Sequence, residues 1–141
     1  MAIKIKKILV PLDGSVNSFR GLDAAIQMAR EGQATITGLY VAAITKPRPN
    51  DQITSLEKIL LEHAQKIMKK AKLRSAKKGI LFFDIVSYGD EGKRIVEVAD
   101  RKNFDLIVIG SRGLGSMKEM FLGSTSNYVL HKSKKPVLIV K

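Results

Sequence analysis

The chain contains no cysteine, which removes disulfides, thiolate metal sites and a cysteine nucleophile from consideration. Tryptophan is also missing, and the remaining aromatics amount to three tyrosines and five phenylalanines in 141 residues. No apolar run approaches the ~20 residues that a bilayer-spanning helix needs. The run Ile8-Leu9-Val10, which follows a lysine-rich start, stops at Pro11 and is too short for a secretory core. A cytoplasmic protein is therefore expected. The two histidines, His63 and His131, have no second histidine or carboxylate at the spacing of a transition-metal site. At this length one domain over residues 1–141 is expected.

Negative charge is in short supply as well. Thirteen acidic residues face 25 Lys and Arg, a net charge of +12. An excess of this size argues for a polyanionic partner, and its placement matters more than its total. Eight of the basic residues (Lys58, Lys66, Lys69, Lys70, Lys72, Arg74, Lys77 and Lys78) share one stretch that also has helical periodicity. That stretch reads either as a solvated helix face or as a surface for nucleic acid or an acidic protein. The scarcity of exposed aromatic groups between the cations favours the first reading, since single-strand binders stack bases on such groups.

What is present is a regular alternation of apolar runs and helical patterns. Ile3 to Leu12 reads as a strand ended by the turn Asp13-Gly14-Ser15. Phe19, Leu22, Ile26 and Ala29 then mark one face of a helix that Ser15 can cap and Gly32 ends. Ala34 to Ala42 is a β-branched second strand, and the prolines of Lys46 to Asn50 make a loop. From Ile53, apolar positions Leu56, Leu60, Ala64, Ile67 and Ala71 predict a helix of about 25 residues closed by Gly79. Ile80 to Val86 is predicted as strand three, ended by Gly89 and Gly92. A short helix follows that turns Ile95, Val98 and Ala99 inward. Asp105 to Ile109, a helix over Ser124 to Lys132, and Pro136 to Val140 complete the series. Continuous Val/Ile/Leu strands separated by helices predict an open, doubly wound, Rossmann-like parallel sheet with helices on both faces.

In such sheets ligands bind beyond the carboxyl ends of the strands, where the strand order reverses. Two segments there carry the chemistry of an anion site. Asp13-Gly14-Ser15 follows strand one, and Gly110-Ser-Arg112-Gly113-Leu-Gly115 follows strand four, ahead of Gly123-Ser124-Thr125-Ser126 at the start of the last helix. Glycines let backbone N–H groups approach an anion, and a helix N-terminus adds unpaired donors and a positive dipole end. Ser124, Thr125 and Ser126 supply hydroxyls there, and Arg112 a charged donor. The Walker pattern is absent, because the one Gly-Lys pair, Gly92-Lys93, is followed by Arg94. Nor do the glycines make a dinucleotide fingerprint, since Gly113-Leu-Gly115 is followed three residues on by Lys118.

The spacing Gly110-x2-Gly113-x9-Gly123-Ser124 resembles the ATP-binding signature of the universal stress protein family. Ile8-Leu-Val-Pro-Leu-Asp-Gly-Ser15, Asp105-Leu-Ile-Val-Ile-Gly-Ser-Arg-Gly113 and Pro136-Val-Leu-Ile-Val140 extend the likeness across the chain. The resemblance implies five parallel strands ordered 3-2-1-4-5. It implies that Pro11, Leu12 and Asp13 line the adenosine side of the ligand, that Val41 holds adenine, and that Ile109 and Gly110 flank the ribose. Arg112, Gly113, Gly123, Ser124, Thr125 and Ser126 would surround the phosphates, with Mg²⁺ or Mn²⁺ carried on them. Thr125 departs from the pattern, in which an aliphatic residue is common. A homodimer through strand five, Val137 to Val140, is also implied. No residue set looks built for fast hydrolysis, so a nucleotide-binding regulatory module in the stress response is expected rather than a catalyst. Slow ATP hydrolysis is the alternative, with Glu119 the candidate base. Met117 and Met120 are expected in a flap over the phosphates.

Overall fold

The structure, a computed structural model, describes residues 4–113 and 122–141. Its elements run β1 (Lys7–Pro11), α1 (Val16–Gly32), β2 (Thr35–Ala42), α2 (Ser55–Ala76), β3 (Phe82–Tyr88), α3 (Glu91–Arg101), β4 (Leu106–Gly110), α4 (Ser124–Lys132) and β5 (Val137–Val140). The five strands form one sheet of order β3-β2-β1-β4-β5, and every pairing is parallel. The expected doubly wound α/β fold is present, with the reversal between β1 and β4.

The burial pattern explains the layering. Ile8, Leu9 and Val10 of β1 and Ile107 and Val108 of β4 are wholly removed from water. Each such side chain contributes about 1.5–3 kcal/mol. On one face, Phe19, Leu22, Ile26 and Ala29 of α1 and Ala64, Ile67 and Ala71 of α2 pack on the sheet. On the other, Ile95 and Ala99 of α3 and Val129 of α4 do so. Gly38 is required where β2 meets β3, because a Cβ there would lie 2.6 Å from Phe82 Cζ. Two of the expected cations of α2 serve packing. Lys70 Nζ and the Arg74 guanidinium lie 4.7 and 4.9 Å from the centre of the Phe19 ring, and Arg74 pairs with Asp23 at 3.0 Å.

Several boundaries differ from the sequence reading, each for a local reason. β1 starts at Lys7, because the Asp105 carboxylate takes the backbone N–H groups of Lys6 and Lys7 at 2.9 Å. α2 starts at Ser55 under a Thr54 cap, and Leu56, expected inward, is 54% exposed in the overhanging first turn. β3 is shifted two residues later than predicted, and it is an edge strand, so Phe83 is 51% exposed. Gly92 ends no strand. It lies within α3, where a Cβ would come 2.8 Å from the Tyr128 ring, so α3 and α4 pack closely there. Among the described residues no helix is long and apolar enough to cross a membrane.

Candidate functional site

Of the four helices among the described residues, three begin with a side-chain cap. The Ser15 hydroxyl accepts the Ser18 N–H at 3.0 Å, the Thr54 hydroxyl accepts that of Glu57 at 3.1 Å, and the Asp90 carboxylate accepts that of Lys93 at 3.1 Å. α4 differs. Its cap is Gly123, with no side-chain bond to the first turn. The leading N–H groups of a helix have no partner within it, so this terminus presents donors to whatever lies in front.

What lies in front is a cleft of about 590 Å³ at the carboxyl ends of the strands. Its walls bring together Pro11, Asp13, Val41, Gly110, Arg112, Gly113, Gly123, Ser124, Thr125 and Ser126. These come from four separate parts of the chain, and the parallel sheet is what collects them. Leu12 and Ile109 are not among them. Both are almost fully buried, Leu12 in the layer under α1 and α2 and Ile109 in the layer under α3 and α4. Both side chains are taken up by the core layers, so neither lines the cleft. Ser126 borders the cleft, and its hydroxyl is engaged by the backbone. It donates to the backbone oxygens of Ser111 and Gly123, at 2.9 and 3.0 Å, and is 2% exposed. It therefore holds the loop to the helix. Met117, Glu119 and Met120, the expected flap, lie outside the described residues.

The glycine loop is fixed from behind by Asn17 in the first turn of α1. Asn17 Oδ1 accepts the Arg112 N–H at 2.7 Å. Ser111 N–H in turn donates to the Val140 carbonyl at 2.8 Å, which ties the loop to β5. Gly110 has no room for a side chain, since a Cβ would lie 2.5 Å from Asn17 Oδ1 and 2.8 Å from the Asn17 carbonyl oxygen. Gly113 is close to the opposite wall, where a Cβ would lie 2.7 Å from Asp13 Oδ2. Asp13 itself is steadied by accepting the Ser15 N–H at 2.9 Å.

The sequence reading missed four side chains with polar or titratable groups in this cleft: Ser18, Tyr40, His63 and Glu91. Tyr40 Oη and His63 Nδ1 are 3.3 Å apart, with the rings edge to face. Burial lifts the Glu91 carboxyl above its ordinary range, the negative charges of Asp13 and Asp90 add to this, and the Thr125 hydroxyl opposes it. Burial likewise raises the Tyr40 phenol, with Glu91 and then Asp13 contributing. Glu91 was detectable in principle, because it stands three residues beyond β3 at the end where ligands bind. His63 gave no such signal, since only the crossing of α2 over β2 brings it to Tyr40. Among the described residues no three His, Asp or Glu side chains converge as a metal site.

An open parallel sheet whose glycine loops and uncapped helix meet at the strand reversal is the architecture of doubly wound α/β proteins with ligands at the switch point. Residues 4–141 match the universal stress protein family, and the chain belongs to it. It is 37% identical over 145 aligned positions to the universal stress protein YxiE of Bacillus subtilis, covering 96% of this chain and 98% of that one. The universal stress protein UspA from Lactobacillus plantarum superposes with a TM-score of 0.86 at 26% identity, covering 99% of this chain and 100% of that one. A universal stress protein solved in complex with cAMP, also 26% identical, superposes with a TM-score of 0.79 over 98% of each chain.

Proposed function

We propose that this chain binds an adenine nucleotide, ATP by the family signature, in the cleft at the ends of β1 and β4. Occupancy then sets a regulatory state and drives no rapid turnover. The observation that carries this reading is the uncapped N-terminus of α4, which opens into the cleft alongside the glycine loop. Phosphate is the ligand chemistry that such a terminus attracts, through free N–H donors and the helix dipole. Pro11 and Val41 offer the apolar wall for adenine, and Asp13 an acceptor for its amino group or the ribose. Gly113, Gly123, Ser124 and Thr125 give the phosphate end backbone or hydroxyl donors, and Arg112 gives it charge. Ser126 contributes there by holding the Ser111 carbonyl in place. The relative solved with cAMP supports an adenine ligand for this fold. Mg²⁺ or Mn²⁺ would arrive on the phosphates, since no three protein carboxylates or histidines converge among the described residues.

The test is calorimetry on protein stripped of bound nucleotide, titrated with ATP and Mg²⁺ and separately with cAMP. Saturable binding of either that is lost in Gly123→Val supports the reading. Absence of binding to both, with no nucleotide carried through purification, overturns it. Multiple turnover of ATP would make the protein an enzyme.

The same reading includes a homodimer through β5. The carbonyls of Pro136 and Val140 accept bonds from Ile107 of β4 and from Ser111 just after it, so strand alternation turns the backbone groups of Val137 and Ile139 toward the open edge. Bare edges invite pairing, and a second copy of the same strand satisfies them.

A further inference from the structure

The two elements best suited to an anion each face a carboxylate of the protein itself. Asp13 Oδ2 lies against Gly113, close enough that a Cβ there would stand 2.7 Å away. Glu91, at the start of α3, lines the same cleft as Thr125 in the first turn of α4, whose hydroxyl favours its carboxylate form. Among the described residues neither carboxylate forms an ion pair, and the nearby Arg94 is engaged with Glu97 at 2.7 Å and with the Tyr88 carbonyl. A chain with a net charge of +12 thus keeps two carboxylates in the lining of its cleft.

We propose that Glu91 is a charge-selectivity residue: set against the first turn of α4 beside Asp13, its carboxylate disfavours polyphosphates and favours adenine ligands of low charge. This rests on the nucleotide reading above and refines it. A carboxylate a few ångströms from a phosphate oxygen, in a half-buried cleft, costs about one factor of ten in affinity. The penalty grows with the number of phosphate charges and vanishes for a neutral nucleoside. Other titratable or charged groups share the cleft with Glu91 or stand beside it. They are Asp13 at the end of β1, Tyr40 of β2, His63 of α2, Asp90 at its own cap and Arg112 after β4. α4 contributes Thr125 and, against Gly92, Tyr128. All except Glu91 are shared by the wild type and a Glu91→Gln variant, so the ratio between the two proteins isolates Glu91. The raised position of its carboxyl means that mild acid relieves the penalty in the wild type.

The experiment measures adenosine and ATP binding to the wild type and to Glu91→Gln, near pH 8 and near pH 5. We expect Glu91→Gln to tighten ATP roughly tenfold near pH 8 and to leave adenosine within about twofold. Lowering the pH should carry the wild-type ATP-to-adenosine ratio toward that of the variant. Thr125→Val, which removes the hydroxyl that steadies the carboxylate, should move that transition to higher pH. It also provides a second reading should Glu91→Gln fold poorly by circular dichroism. Equal changes for the two ligands, or a ratio indifferent to the variants and to pH, overturn the proposal alone. Failure of both compounds to bind either protein at either pH overturns the nucleotide reading and this one together.

Discussion

Asn17 Oδ1 accepts the Arg112 backbone N–H at 2.7 Å, so the first turn of α1 holds the loop that follows β4. Asn17 is 7% exposed, and its amide also reaches the Val140 carbonyl at 3.5 Å. Replacing it by alanine leaves the part-buried Arg112 N–H without its protein partner. Asn17→Ala is expected to cost about 1–3 kcal/mol of stability, measured by urea unfolding. It is also expected to weaken nucleotide binding, because Arg112 and Gly113 lose their anchor. Unchanged stability and affinity would show that the loop holds itself.

Two glycines in that loop separate folding from binding. At Gly110 a methyl group meets the Asn17 backbone oxygen at 2.8 Å, and backbone cannot step aside. Gly110→Ala is expected to cost about 1–3 kcal/mol or more through overpacking. At Gly113 the obstacle is the end of the Asp13 side chain, which can rotate away. Gly113→Val should therefore unfold within about 1 kcal/mol of the wild type yet lose ATP, since the added side chain fills the approach to the loop amides. Thermal melts and calorimetry on the pair check both halves. A Gly113→Val protein that still binds ATP would remove the loop from the site.

The fold was legible because its signals are redundant. Ile8-Leu9-Val10 and Leu106 to Ile109 are apolar runs that both faces of the sheet cover, and the Ser15 cap is local chemistry. The strand order came from family resemblance and not from periodicity, which says nothing about which strands are neighbours. Phe83 shows the limit: its apolar surroundings in the sequence suggest burial, but the edge position of β3 leaves it half in water. The cleft was legible where a motif marked it, as at Gly113 and Gly123. It was not legible at His63 and Tyr40, which lie 23 residues apart and meet only through packing of α2 on β2. Leu12 and Ile109 adjoin site residues in the chain, yet their side chains pack into the two core layers.

Glu91 makes stability depend on pH in a direction that can be worked out. Its folded carboxyl binds a proton more readily than the ordinary value of 4.5, so the folded state holds more protons than the unfolded one above that value. Stability from this group therefore falls as the pH rises through the folded titration and is restored by acid. Glu91→Gln removes the dependence. The variant should be more stable than the wild type near neutral pH, and the difference should shrink as the pH approaches 4.5. Denaturant midpoints for the two proteins across this range test the sign. A difference that grows on acidification would mean that Glu91 is stabilised as the anion, contrary to its buried and like-charged surroundings.

Ile139 offers a way to test the dimer without dismantling the sheet. Its backbone N–H points to the open edge of β5, because the carbonyls of Pro136 and Val140 face β4 and strand residues alternate. Proline is tolerated on an edge strand when the N–H it lacks faces outward. Ile139→Pro should keep the β4–β5 ladder while deleting a donor that an antiparallel second copy requires. The side chain is half-buried against the layer under α3 and α4, so a loss of about 1–2 kcal/mol is expected from packing. Light scattering with size exclusion should find the wild type dimeric and the variant monomeric, with circular dichroism unchanged. A monomeric wild type would remove the dimer altogether. A variant that stays dimeric would move the interface to the other bare edge, β3, where Phe83 is 51% exposed and an apolar contact is available.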